Sequence, residues 1–409
     1  MSRARDLANL GNNAGGLETL TVSDITDITA TADELNLVDG SVSGPLSHRN
    51  MIINGAMNIH QRGGSTSFAH DGTVNGYSLD RFRFTIDNSD EWDGTVQQHT
   101  MTSAELNTTG FAKAYKLTTG TAESAIASNE SAYISQIIEA QNLQHLRYGT
   151  ASAKTITLSF WAKASVTGTY AIGLYKPDTN NRVINKTYTV SDTNWNQYTV
   201  TFPGDTDSGA VIANDNAQGL YVNWHLAVGS DNNDGANTSW ENYSSGGWGG
   251  GHAQDGIITT ASATFYLTGV QLELGSVATP FEHRSYADEL TRCHRYCVVF
   301  GNGANGCTSW IVSGAANGTN TGYFQYRLPV WPRSTPTIAI SGEFIITDNY
   351  QFDRTHSSGI TISTQPATSE IQGRVYLGGF TTETLTTGRV YAGPNGNGGT
   401  GKTTFAMEL

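Results

Sequence analysis

The sequence predicts a mainly β protein, a jelly-roll β-sandwich followed by a further β domain. Glycine accounts for 46 of the 409 residues, threonine, serine and asparagine are abundant, and helix-forming residues are sparse. Such a composition favours many short strands joined by tight turns. Apolar and polar residues also alternate with a period of two in many short segments, which turn sequences separate. Many strands with few helices are typical of sandwich and jelly-roll folds.

Charge and hydropathy exclude several classes of function. Only 14% of the residues are charged, and 23 Lys and Arg against 36 Asp and Glu give a net charge of −13. Nucleic-acid binding is not expected, because phosphate contacts need clustered Lys and Arg. No apolar run approaches the length of a membrane span, and the start, MSRARDLANLGNN, lacks the apolar core of a secretory signal. We therefore expect synthesis in a cytoplasm and no membrane insertion. The three cysteines do not make a disulfide framework.

The clearest strand is TITLSFWAKAS at 155–165, in which every second residue from Ile156 to Ala162 is apolar. TYAIGLY and NQYTVTFPG repeat the pattern. In ATFYLTGVQLELG, Phe265 and Leu267 occupy one parity, but the apolar residues from Val270 onward occupy the other. This change predicts a β-bulge or bend near Gly269.

The segment 204–256 breaks the strand rhythm, and we expect a long functional loop there. It contains SDNNDGANTSWENYSSGGWGGGHAQDG. Aromatic rings among amides and acids are typical of sugar recognition, because ring faces stack on C–H faces and amides bind hydroxyls. The alternative is that the loop folds back and buries its rings, or packs on a neighbouring chain. The candidate ligand-binding residues are Trp240, Tyr243, Trp248, Asp231 and Asp234.

The sequence predicts no metal site and no cofactor. Asp231-Asn-Asn-Asp234-Gly235 looks like half of a calcium loop, but neither its spacing nor its end fits, so we interpret it as a turn. A structural calcium ion remains compatible with a jelly roll. Cys293 and Cys297 flank His294, yet a zinc site needs about four ligands and no second cysteine pair exists. Both cysteines are better interpreted as small apolar residues that pack.

The best helix signal lies at 285–297. Ser285 fits an N-cap, and acidic residues follow in the first turn. The apolar residues form a narrow stripe that resembles a coiled-coil seam, which predicts an interchain helix and a homotrimer. The stripe consists of Tyr286, Leu290, Cys293 and Cys297.

Residues 1–50 differ from the rest in having little aromatic content. Thr31-Ala-Asp-Glu34 fits a capping box, and Leu35 and Val38 then lie on one helical face. Such a segment cannot bury a core alone, so we expect sister chains or a docking partner to order it.

Residues 298–409 return to strands and turns. The end, TTFAMEL, alternates Phe405, Met407 and Leu409, which predicts a paired strand. The preceding glycine run matches a phosphate-binding loop in spacing from Gly396 to Thr403, but no helix can follow it, so we interpret it as a turn. A second aromatic patch or ordinary packing would account for Trp310, Tyr323, Tyr326, Trp331 and Tyr350.

Five segments together resemble a module of bacteriophage tail fibres and receptor-binding tail proteins. In order they are RNMIINGAMNIHQRG, GYSLDRFRF, AYISQIIEAQNLQHLRYGTASAKTITLSFWAKAS, WNQYTVTF and GVQLELGSVATPFEHRSYADELTRCHRY. The N-terminal ITATADELNLVDG resembles the linker and shaft segments of such fibres. The resemblance covers about residues 50–300, and Trp161 belongs to its framework. The sequence departs from the pattern at the framework positions Phe82, His294 and Cys297.

The resemblance implies a structural protein of the virion tail that attaches to the host surface, through a surface glycan, without catalysis. It implies a jelly roll similar to carbohydrate-binding modules, a homotrimer, and docking on other tail proteins. The alternatives are an adaptor or collar component and a polysaccharide-degrading tailspike; no catalytic motif is present, so we expect no enzyme. The expected parts are an anchor at 1–50, the jelly roll at 51–284, the interchain helix at 285–297 and a distal β domain at 298–409.

Overall fold

The computed structural model describes most of the chain from residue 48 onward, and Ser47–Leu409 forms one compact unit. The described ranges are 48–69, 72–237, 239–300, 311–316, 321–341, 344–347, 353–356, 361–365, 372–378, 390–391 and 402–409. The predicted anchor segment with Leu35 and Val38, the glycine run at 396–401, and Trp310 and Tyr350 lie outside these ranges.

Two antiparallel sheets form the sandwich, which confirms the predicted mainly β, jelly-roll-like class. Strands are numbered in chain order. The six-stranded sheet runs β1 (Ser65–Phe68), β4 (Gly94–Thr100), β5 (Lys113–Thr119), β13 (Thr264–Leu274), β7 (Ile156–Ala164) and β10 (Asn196–Phe202). The seven-stranded sheet runs β12 (Glu241–Asn242), β9 (Arg182–Val190), β8 (Gly168–Lys176), β11 (Gln218–Val228), β6 (Ser131–Glu139), β3 (Arg83–Ser89) and β2 (Gly72–Tyr77).

The core lies between these sheets. Alternate residues of each strand point inward, so Phe160 of β7 meets Trp224 of β11 with ring centroids 5.9 Å apart. Both side chains are fully buried, as are Phe84, Ile134 and Ile172 from the seven-stranded sheet. Phe82, one of the departures from the fibre pattern, is also fully buried and packs on Trp224.

The predicted bulge in β13 is confirmed. The register against β7 shifts between Thr268 and Gln271, and Gly269 has a φ of +60°. A Cβ at this position would lie 2.5 Å from the Phe111 ring. The extra residue reverses the parity of the strand, which keeps Leu267 and Val270 both fully buried.

The predicted loop at 204–256 is wrong for its middle part. β11 occupies Gln218–Val228 and lies between β8 and β6 in the seven-stranded sheet. Apolar residues on its inner parity alternate with Tyr221, Asn223 and His225, and all three of these are buried as well. Because both faces are covered, the strand lacks the clear hydropathy contrast that marked the other strands.

The motifs that resemble the fibre module form the framework at one side of the sandwich. Asn50 Oδ1 accepts hydrogen bonds from Ile52 N at 3.0 Å and Leu272 N at 3.1 Å. Gln61 Nε2 donates to Asp80 Oδ1 at 2.6 Å. These contacts tie distant motif segments together, so the resemblance reflects residues that hold the fold.

Three α-helices are described: α1 (Ser103–Thr109), α2 (Gly256–Thr259) and α3 (Tyr286–His294). The predicted N-cap of α3 is confirmed, because Ser285 Oγ accepts a hydrogen bond from Asp288 N at 3.2 Å. The predicted end is wrong, since α3 ends at His294 and Cys297 opens β14 (Cys297–Phe300).

The predicted interchain stripe is therefore wrong for its two cysteines. Cys293 and Cys297 are fully buried within their own chain, where Cys297 pairs with Ala406 in the β-ladder. They cannot also line a seam between chains. Tyr286 is 62% exposed and Leu290 is half-buried, so these two residues alone continue the stripe at the surface.

The C-terminal part contains three smaller sheets. One has the order β14, β23 (Lys402–Ala406) and β17 (Thr337–Ser341). A second has the order β20 (Thr361–Gln365), β21 (Gln372–Gly378), β16 (Thr321–Arg327), β15 (Ile311–Ala316) and β22 (Val390–Tyr391), and β18 (Phe344–Thr347) pairs with β19 (Asp353–His356). The predicted C-terminal strand is confirmed as β23, with Phe405 and Met407 buried. Because Lys402 and Thr403 lie in this strand, a phosphate-binding loop is excluded.

Candidate functional site

The outer face of the seven-stranded sheet carries a mostly polar row of residues that crosses five strands. Arg83, Ser135, Asn223, Gly173 and Asn185 are successive cross-strand partners on β3, β6, β11, β8 and β9. Their strand neighbours, such as Phe84, Ile134 and Val222, belong to the core. Because side chains alternate between the two faces of a sheet, the row lies on the face away from the core.

Aromatic rings surround this row. Tyr133 of β6, Tyr175 of β8 and Tyr221 of β11 lie on the same outer face, and the loop after β11 adds Tyr243 and Trp248. Ring centroids lie 5.5 Å apart for Tyr175 and Tyr221, and 5.1 Å apart for Tyr175 and Tyr243. We call these five residues the aromatic face.

Trp248 lies over the middle of the row. Its ring centroid is 5.3 Å from that of Tyr133 and 5.3 Å from that of Tyr175. These two tyrosines are cross-strand partners of His225 and Tyr221, the two residues that flank Asn223 on the same face of β11. The indole of Trp248 therefore covers Asn223, although the Trp248 side chain itself is only half-buried.

The backbone of the loop that carries Trp248 is closely packed, which explains its glycines. A Cβ at Gly250 would lie 2.1 Å from Gly235 O, and one at Gly249 would lie 2.6 Å from a Val228 methyl group. Gly249 N also donates to Asn232 O at 2.9 Å. The loop therefore presents Trp248 from a fixed backbone.

The two acidic candidates of this loop, Asp231 and Asp234, form hydrogen bonds within the protein. The carboxylate of Asp231 accepts a hydrogen bond from Ser128 Oγ at 2.8 Å, and Asp234 N donates to Gly246 O at 2.7 Å. Both side chains are exposed and neither belongs to the polar row. Their contacts support the predicted turn.

Several polar side-chain atoms of the row have no partner within the described residues. They are Ser135 Oγ, Asn223 Oδ1, Asn223 Nδ2 and Arg83 Nε. Ser135 and Asn223 are fully buried. A buried polar group without a hydrogen bond costs about 1–3 kcal/mol, so these atoms favour contact with a ligand or with water.

The ionisable groups of this face are predominantly neutral. Burial raises the pKa of Tyr133, Tyr175, Tyr221 and Tyr243, so these phenols stay protonated near neutral pH. Burial, with the charge of His252, lowers the pKa of His225 to about 3. The tyrosine hydroxyls can thus both donate and accept hydrogen bonds, as Tyr133 does when it donates to Asp87 Oδ2 at 3.2 Å.

The structure separates the three predicted aromatic candidates. Tyr243 and Trp248 belong to the aromatic face, with Tyr243 37% exposed. Trp240 is only 8% exposed, packs on Tyr148 with ring centroids 5.6 Å apart, and donates from Nε1 to Pro203 O at 2.7 Å. The alternative prediction, that the loop buries its own ring, therefore holds for Trp240.

Sequence reasoning missed the residues that the sheet itself contributes. The signal was present in GLYVNWHLAV, where Tyr221, Asn223 and His225 alternate with large apolar residues. Because this segment was interpreted as loop, its parity was not used. The positions of Tyr133 and Arg83 beside it depend on strand register, which the sequence does not reveal.

The other predicted candidates lie apart from the aromatic face, and some of them are buried while others are exposed. Burial raises the pKa of the thiols of Cys293 and Cys297, which keeps them protonated at neutral pH. Within the described ranges, no three His, Cys, Asp or Glu side chains form a cluster suited to a metal ion. The described helices also include none with the length and apolarity that a membrane crossing requires. Tyr326 is buried against Phe405, while Tyr323 and Trp331 are 39% and 61% exposed.

No family model and no curated protein matches the sequence. Among solved structures, similar chains include the enzymatically active domain of bacteriophage CBA120 tailspike protein 4, with 12% identity, 55% of this chain and 21% of that chain covered, and a TM-score of 0.27. A family 11 carbohydrate-binding module of a Clostridium thermocellum cellulosomal cellulase has 10% sequence identity and a TM-score of 0.25. The match covers 55% of this chain and 95% of that module. A putative sugar-binding protein from Bacteroides thetaiotaomicron has 12% sequence identity and a TM-score of 0.27. The match covers 55% of this chain and 100% of that protein. Similarities this low establish neither the fold nor the function of this chain.

Proposed function

We propose that this protein is a virion tail fibre that attaches to the host surface by non-catalytic binding of a glycan on the aromatic face. The observation that carries the proposal is the set of rings around a buried polar row with unpartnered donors and acceptors. Sugars present C–H faces to rings and hydroxyls to amides, so both kinds of group on this face would be used.

The tail-fibre part of the proposal is supported by the five motif segments. Their residues form the framework contacts of the sandwich, including the pair of Arg295 Nε and Glu139 Oε1 at 2.7 Å. That these motif residues make the structural contacts is what a conserved module framework would require. Three linked copies in a homotrimer would raise weak glycan binding to useful avidity.

The first test compares single ring deletions on the full chain. Tyr243→Ala should weaken adsorption to host cells and binding to extracted surface polysaccharide, because one stacking ring contributes about 1–3 kcal/mol. Trp331→Ala is the matched control, since Trp331 is an exposed ring far along the sequence. Loss of adsorption in the control alone would move the receptor site to the C-terminal part and contradict the proposal.

The second test separates binding from catalysis. The purified chain is incubated with host surface polysaccharide, and new reducing ends are measured over time. We expect none beyond those of a heat-denatured sample. Steady release of reducing ends would instead favour a polysaccharide-degrading tailspike.

A further inference from the structure

We infer that the glycan bound on the aromatic face is acidic, and that its sugar carboxylate is held by Arg83, Ser135 and Asn223. This inference rests on the proposed function and specifies its ligand class. It concerns one end of the polar row, where three hydrogen-bond donors lie on adjacent strands.

Arg83 differs from the other arginines that face the sandwich. Arg81, Arg182 and Arg295 each form an ion pair with a carboxylate, at 2.6, 2.8 and 2.7 Å. Within the described residues, Arg83 forms no such pair, and its Nε has no hydrogen-bond partner. The guanidinium lies over the Tyr221 ring, 5.8 Å from the centroid. Within the described residues it is a positioned cation without a directly paired carboxylate.

An acid on the same face, Asp87, attracts Arg83 electrostatically but forms no ion pair with it. Asp87 lies on the same parity of β3 as Arg83, but its carboxylate accepts a hydrogen bond from the Tyr133 hydroxyl at 3.2 Å. No ion pair joins Asp87 to Arg83 in the described part of the chain, so the charge of Asp87 acts on Arg83 only from a distance. The guanidinium therefore stays available to an external anion.

The spacing of the row suits a carboxylate on a sugar ring. Adjacent strands lie about 4.8 Å apart, so the three side chains span about 10 Å across the sheet. A guanidinium binds a carboxylate in a fork geometry that a neutral hydroxyl cannot match. Ser135 and Asn223 then supply the hydroxyl and amide donors for the remaining oxygen lone pairs. Both residues are fully buried, and their side-chain polar atoms have no other partner among the described residues.

Charge and access set two conditions on this binding. The chain carries a net charge of −13, which repels an acidic polymer at long range. Attraction must then come from the local cation, so affinity should depend on Arg83 in particular. The Trp248 indole covers Asn223, so we expect this side chain to move aside when a ligand occupies the row.

The experiment measures binding of the full chain to acidic polysaccharides and to their carboxyl-reduced counterparts. The probes are polygalacturonate, alginate, hyaluronate and polysialate, each also reduced to the neutral polymer. We expect at least one acidic polymer to bind about 10- to 100-fold more tightly than its reduced form, the range expected for one charged hydrogen-bonding partner. Arg83→Gln should abolish that preference, while Arg327→Gln, an equal charge change at an exposed site, should keep it.

Two outcomes would overturn the inference in distinguishable ways. Equal binding of an acidic polymer and its reduced form would refute the carboxylate site and leave glycan binding intact. Binding of no polymer, acidic or neutral, would refute the proposed function together with this inference. Asn223→Leu provides an independent check on folding, because an apolar side chain of similar size should keep the melting temperature while removing the preference.

Discussion

Arg81 and Glu408 lie 327 residues apart in the sequence and form an ion pair of 2.6 Å. Arg81 is 1% exposed, donates also to Ile137 O, and lies with its guanidinium carbon 3.5 Å from the centroid of the Tyr296 ring. The pair joins the motif LDRFRF of the sandwich to the end of the C-terminal strand. The small sheet that contains β23 is thereby fixed to the jelly roll.

Glu408→Gln should destabilise the protein by about 3–5 kcal/mol, because it leaves the buried charge of Arg81 without its counter-charge. The measurement is the free energy of unfolding in urea. Glu91→Gln serves as control, since Glu91 is exposed and its loss should change stability by less than about 0.5 kcal/mol. Equal stability of both variants would show that the pair contributes nothing.

Trp240→Ala should lower the free energy of unfolding by about 3–5 kcal/mol, because it removes a buried ring and leaves a cavity beside Tyr148. Tyr243→Ala should instead weaken glycan binding and cause only a small loss in the free energy of unfolding. Thermal melts and adsorption assays on both variants check this contrast. Retained stability in Trp240→Ala would contradict its assignment to packing.

Glu123 and Glu130 form a buried acidic pair, each 2% exposed, in the segment before β6. Burial and the neighbouring Glu123 raise the pKa of Glu130 from 4.5 to about 8. Burial would also raise the pKa of Glu123, but hydrogen bonds from Glu130, Ser89 and Asp90 hold it below its usual value. At neutral pH the pair therefore holds a single proton, on Glu130.

This pair predicts a loss of stability as pH rises. The folded pKa of Glu130 lies above its unfolded value, so its contribution is complete below about pH 4.5 and is lost as the pH rises through about 8. Urea unfolding at pH 5, 7 and 9 should show this decline in the wild type, and Glu130→Gln should flatten it. A variant with the same decline as the wild type would assign the effect to other groups.

The homotrimer remains a prediction, based on Tyr286 and Leu290 among the described residues and on Leu35 and Val38 outside them. Sedimentation or light scattering at micromolar concentration should give three times the chain mass. Leu290→Asp should shift the population toward smaller species, because it would place a carboxylate in a desolvated contact. A wild-type chain that stays monomeric would disprove the prediction.

Deletion of residues 1–46 should leave a folded chain, because Ser47–Leu409 forms a compact unit by itself. We predict that the truncated chain keeps its melting temperature but no longer incorporates into particles, since the anchor to other tail proteins would be lost. Particle incorporation is measured by blotting purified virions. Normal incorporation would reassign the anchor to another part of the chain.

The sequence by itself determined the features that depend on neighbouring residues. Period-two alternation located β7 and β13, the change of parity at Gly269 located the bulge, and Ser285 marked the start of α3. Each of these is a local relation between hydropathy or capping and backbone geometry, so it can be read along the chain.

The tertiary structure alone decided which residues share the candidate site. Arg83, Ser135 and Asn223 become neighbours only through the register of β3, β6 and β11, which long-range strand pairing sets. Long-range strand pairing also places Cys297 in β14 and not in the predicted helix. The ladder with β23 satisfies the backbone hydrogen-bonding groups of Cys297. Trp240 and Trp248 lie in one glycine-rich loop, and only the packing of that loop against the sheet buries the first and places the second over the polar row.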